Sequence, residues 1–153
     1  MPIAPDMTWF HFTKQERIRR NRELRRELAE TCRKEALENV FIVGRQVTQA
    51  FKLASEEEQL FSDYFGEPMP QHLQMALHLE TILWRRIQAA LERANADKMD
   101  DSTYKTLEEN VRAILLALIN LLHAEEEMLT SCLVRHYVTI IQGIQADSAR
   151  VTL

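Results

Sequence analysis

Between Pro5 and Pro68 the chain carries two glycines and no proline, and from Gln71 to Leu153 it carries one glycine and no proline. Tight turns depend on those two residue types, so a chain this poor in them cannot supply the many reversals of a β fold. Its long uninterrupted stretches instead repeat apolar residues at helical spacing. The expected class is all-α: an elongated helical bundle of three long helices, one or two of them bent to give four or five segments. With 153 residues, 46% of them apolar, the chain is large enough to bury a core.

Pro2 and Pro5 rule out a regular helix through the whole of residues 1–13. This segment is expected to be an extended aromatic strap anchored by Trp9, Phe10 and Phe12, ahead of a single helical-bundle domain over 14–153. Thr13, with Glu16 three residues on, makes a capping box, and Asp6 is the other residue able to cap. From Lys14 to about Phe65 the residues Ile18, Leu28, Cys32, Ala36, Val40, Val43, Val47, Ala50, Phe51, Ala54, Phe61 and Phe65 share one broad helical face. At ~1.5 Å per residue that element would be about 75 Å long, so it must bend near Phe41–Gly44 or project from the body. Gly66 and the prolines at 68 and 70 end it.

A second helix is expected from about Gln71 to Ala94, with Met75, Ala76, Leu79, Ile82, Leu83, Ile87, Ala90 and Leu91 inward and Leu77 and Trp84 widening the stripe. After a polar turn, Asp101 or Ser102 caps a last helix from about Thr103 towards Ala146, with bends near Ser131 or Gly143 allowed. Its run Val111–Leu122 is too short and too interrupted, by Arg112 and Asn120, to span a membrane.

Charge is unevenly spread. Lys14–Lys34 holds nine basic residues against four glutamates, a local +5 in a chain of net −4. Arginine dominates that segment, which suits bidentate contacts to phosphate or carboxylate. On the helical wheel these cations surround the helix, and Arg25 points along the apolar face, so this arm is expected at the surface, laced with i,i+4 pairs such as Glu16–Arg20 and Arg26–Glu30. The candidate partner-binding residues are Arg17, Arg19, Arg20, Arg22, Arg25, Arg26, Arg33 and Lys34.

The sequence argues against catalysis. A di-iron bundle needs Glu-x-x-His pairs, and no glutamate here has a histidine three residues later. The acidic runs Glu56–Glu58 and Glu125–Glu127 read as solvated faces, and no glycine-rich phosphate loop or nucleophile elbow occurs. No cofactor is implied. Cys32 and Cys132 lack metal-ligand spacing and read as reduced thiols of an intracellular, soluble protein. Two residues break their inner stripes, Arg86 and Glu125, and are expected to face each other as a buried pair that sets register.

These features predict a non-catalytic regulatory or adaptor protein that binds another protein, an acidic one, through the basic arm. It is also expected to form a homodimer. Leu133, Tyr137, Ile140, Ile141 and Ile144 mark the self-association face, because one short chain cannot cover a last helix that stays apolar on several sides. The rival class is nucleic-acid binding through the arginine-rich helix 14–34. A metal-dependent helical-bundle enzyme is the third and weakest alternative.

Overall fold

The computed structural model describes the backbone at residues 7–35, 40–96 and 98–152, and the side chains at 14–34, 43–96 and 98–147. Four helices occur in that span: α1 (Met7–Glu35), α2 (Val40–Phe65), α3 (Gln71–Ala96) and α4 (Asp101–Thr152), with no strand among the described residues. The class is the expected one. The long first element, however, is two helices, because it reverses between Glu35 and Val40; a straight rod could bury its face against nothing of its own chain. Gly44 lies inside α2, and α4 continues as helix through Ser131 and Gly143.

Two helix starts also differ from expectation. α1 begins at Met7, so residues 7–13 are helical rather than an extended strap. No proline or glycine follows Pro5 before Gly44, so nothing stops the helix from running back past Thr13. The side chains of Trp9, Phe10 and Phe12 lie outside the described residues. α4 is capped by Asp100, whose Oδ1 accepts the Thr103 N–H at 2.7 Å. That hydrogen bond to Thr103 also holds the Asp100 carboxyl below its usual range.

α1 packs on α2 and α4, and α3 packs on α2 and α4, so the helices form a ring in chain order. Asn21 reaches the carbonyl of Leu53, and Cys32 donates to Gln46, so α1 and α2 run antiparallel. Gly66 closes α2 in the left-handed conformation (φ 70°), its N–H bonded to the Ser62 carbonyl at 2.9 Å.

Apart from Asn21, Ala76 and Ile119, the buried residues of each helix follow alternating spacings of four and three, the seam of knobs-into-holes packing. On α2 they are Val43, Val47, Ala50, Ala54, Glu57 and Phe61; on α3, Leu73, Leu77, Glu80, Trp84, Ile87 and Leu91. On α4 they are Val111, Leu115, Leu118, Leu122, Glu125, Leu129 and Cys132; on α1, Ile18, Arg22, Arg25, Ala29 and Cys32. The α3 stripe is therefore rotated from the expected one, leaving Met75 and Leu79 exposed. Every seam carries a charge at one level. That level splits the core into an upper apolar cluster around Cys32, Trp84 and Leu118 and a lower one around Ile18, Phe61 and Leu129.

Candidate functional site

The charged layer draws on all four helices. Arg22 and Arg25 enter from α1, Glu57 from α2, Glu80 from α3 and Glu125 from α4, and all five side chains are buried. Arg25 has no exposed surface. Its Nε donates to Glu80 Oε2 at 2.9 Å and its Nη2 to Glu80 Oε1 at 3.2 Å, a two-pronged pairing that the planar guanidinium favours. The same Nη2 stands 3.2 Å from Glu57 Oε2, close enough for charge attraction but not aligned as a hydrogen bond. Its Nη1 donates to Asn21. Arg22 donates to Glu57 through Nη2 and to the backbone carbonyl of Glu125 through Nη1, the latter at 3.0 Å. Trp84 adds its indole N–H to Glu80 Oε2 at 2.9 Å.

Two arginines face three glutamates here. Treated as carboxylates, all three would leave Glu125 without a donor on either oxygen. Burial, then the Glu80 charge beside it and a hydrogen bond to Glu80, push the Glu125 carboxyl up to about 10, against the pull of Arg25. These influences favour the neutral acid at Glu125, which then has a proton to offer Glu80. Burial works against Glu80's charge too, but Arg25, Glu125 and Trp84 outweigh it and hold Glu80 below its usual range. For Arg25 burial also opposes the charge, and the neighbouring carboxylates, Glu57 and Glu80 foremost, more than offset it, so its pKa rises. Two cations, two anions and one neutral acid make a layer of zero net charge, which is the condition for burying it.

This overturns two expectations. Glu125 is buried as foreseen, but its cationic neighbour is Arg25; Arg86 lies exposed on α3, because the seam there passes through Glu80 and Trp84. The basic arm is likewise not a surface feature throughout. Arg22 and Arg25 are core residues, since Glu57 of α2 and Glu80 of α3 pair with what the wheel alone would leave stranded. Arg26 crosses to Glu126 of α4 at 2.9 Å, and Arg20 sits 3.5 Å from Glu23 and 3.6 Å from Glu27. Arg17, Arg19, Arg33 and Lys34 remain on the exterior of α1. Glu57 and Glu80 escaped sequence reasoning; the signal was the four–three spacing, which places them on the seam whatever their charge.

The layer is not fully satisfied: Arg22 Nε, Glu57 Oε2 and both Glu125 oxygens are buried with no hydrogen-bond partner among the described residues. The Arg25 guanidinium fills the space between the carboxyls, and among the described residues no three His, Cys, Asp or Glu side chains are arranged to hold a metal ion. Cys32 and Cys132 are buried free thiols.

The second unusual region is the far end of α4. His136 contacts Tyr64 and Phe65, with ring centroids at 5.4 and 5.1 Å, so it stands level with the end of α2. Beyond it α4 continues for sixteen residues, about 24 Å at 1.5 Å each. The core seam lapses there: after Cys132 its positions are His136, Thr139, Gly143 and Ala146, small or polar. Apolar residues occupy the other faces instead, with Val134, Tyr137, Val138, Ile140 and Ile144 exposed and Ile141 half-buried. Leu133 is half-buried against the lower core cluster. A groove of about 260 Å³ opens beside this face, lined by Gln15, Tyr64, Leu133, Val134, Tyr137 and Ile140 among others. No described helix is long and apolar enough to cross a membrane. No family model, curated protein or solved structure matches this chain.

Proposed function

We propose that this protein is a non-catalytic adaptor or regulator that works by binding protein, a second copy of itself included, through the projecting end of α4. The observation that carries this reading is the exposed apolar face of Val134, Tyr137, Val138, Ile140 and Ile144 on a helix that runs on past the end of α2. Tyr137 is 65% exposed and Ile144 60%, far from the near-zero values of the core seam. Contiguous apolar surface of this kind marks an interaction site more often than an ornament of a monomer. Arg17, Arg19, Arg33 and Lys34 give the exterior of α1 a basic character that suits an acidic protein partner.

The nucleic-acid alternative has lost much of its footing. It relied on a full set of surface arginines, and Arg22 and Arg25 belong to the core while Arg20 and Arg26 are matched to glutamates. A gel-shift series at low salt with DNA and RNA duplexes is expected to show no retardation at micromolar protein. Light scattering is expected to show concentration-dependent dimers of the wild type and monomers after Ile141→Asp with Ile144→Asp, at unchanged helical circular dichroism. A wild-type chain that stays monomeric at high micromolar concentration removes self-association from the reading.

A further inference from the structure

The apolar residues past Leu133 are placed symmetrically about Thr139. Val134 and Ile144 lie five residues to either side, Tyr137 and Ile141 two, and Val138 and Ile140 one. All six exchange with one another on reversal of the chain direction. Resting on the self-association reading above, we infer that two copies pair through this segment as antiparallel helices, with a two-fold axis at the level of Thr139.

A two-fold interface must present the same patch to itself, residue i meeting j and j meeting i. An antiparallel pair centred on Thr139 does so: Val134 faces the second copy's Ile144, and Tyr137 faces its Ile141. These four residues alternate at spacings of three and four, the a and d positions of a helix seam, and antiparallel seams bring a against d. Val138 and Ile140 fill the flanking positions where hetero-specific pairs usually carry charge, so nothing there selects a different partner.

Shape favours the same orientation. A parallel pair would set the two bulky Tyr137 rings against each other at one level, whereas antiparallel pairing sets each against the smaller Ile141. The antiparallel register also brings the second copy's Ile144 beside Val134, at the groove walled by Tyr64, Leu133, Tyr137 and Ile140. A strip of this size is at the small end of stable interfaces, so the dimer is reversible and concentration-dependent.

The test is charge rescue between copies, read by sedimentation equilibrium. Val134→Asp and Ile144→Lys should each weaken self-association by about tenfold or more, since each buries one unmatched charge. Mixing the two variants should restore a heterodimer, because Asp at 134 then meets Lys at 144. Val134→Asp mixed with Val134→Lys should stay monomeric. Rescue by the 134/134 mixture instead would establish a parallel pair and overturn the inference while leaving self-association intact. Single variants that dimerise like wild type would show that another face associates, which also overturns it. A monomeric wild type would remove both the inference and the self-association beneath it.

Discussion

Arg25 shows how a residue's direction and its fate can part. The helical wheel aims it at the core, and ordinary desolvation logic then argues that the arm cannot sink. Both steps are sound for one helix. The conclusion fails because Glu57, Glu80 and Glu125 arrive from three other helices, and a single-helix reading has no means of seeing them. Removing one member leaves charge without a match, so Arg25→Met should cost about 3–5 kcal/mol in urea unfolding. Arg86→Met, at an exposed position, should stay within about 0.5 kcal/mol. Glu125 gives a prediction in pH. Its carboxyl moves from the usual 4.5 to about 10 on folding, so between those values the native state holds one proton more than the unfolded chain. Stability therefore falls as pH rises through that window, by at most about 1.4 kcal/mol per pH unit from this group. Glu80 is lowered, so its contribution is present above its unfolded value and is lost only in acid. Glu125→Gln keeps a neutral donor toward Glu80 and should flatten the alkaline slope between pH 6 and 9. An unchanged slope would mean that Glu125 is ionised in the fold.

At the scale of the helices, much was legible. The breakers at Gly66, Pro68 and Pro70 end α2, and Glu125 was expected on the inner side of α4, where it lies. The division into α1 and α2 was not, because no proline or glycine stands between Glu35 and Val40 to announce it. The α3 stripe was misplaced by following apolar residues alone. Met75 and Leu79 outbid Glu80 in hydrophobicity, although the spacing Leu73–Leu77–Glu80–Trp84 is the regular one. Glycines supply the check on the helix ends and interiors. At Gly66 the positive φ strains any side chain, so Gly66→Ala should destabilise by about 1 kcal/mol. Gly44 and Gly143 are helical with nothing within 4 Å of an added Cβ. Alanine at either should stabilise by about 0.5–1 kcal/mol, as the ordinary helix preference requires. Thermal melts of the three variants give the ordering; stabilisation at Gly66 would contradict its role as a cap.

For the whole molecule, the apolar end of α4 was foreseen from its surplus hydrophobicity, whereas its geometry was not. The structure shows that this surplus is no extension of the core. The seam runs out at Cys132, and the apolar residues move to faces that the bundle does not use. The interior is divided by a charged layer to which every helix contributes one level of its seam. Slipping any helix by a turn would carry its charged or polar side chain into the apolar clusters around Trp84 or Phe61. The layer thus favours a single alignment of four helices whose apolar faces would otherwise tolerate several.

The neutral carboxyl at the centre of that layer makes folding a reaction with the solvent as well as with the chain. When the bundle assembles near pH 7, Glu125 must capture a hydrogen ion that it lacked when unfolded; when the bundle melts, that ion returns to the buffer. The heat of melting measured by calorimetry therefore includes the buffer's own ionisation heat, and should differ between phosphate and Tris at the same pH by nearly one proton's worth.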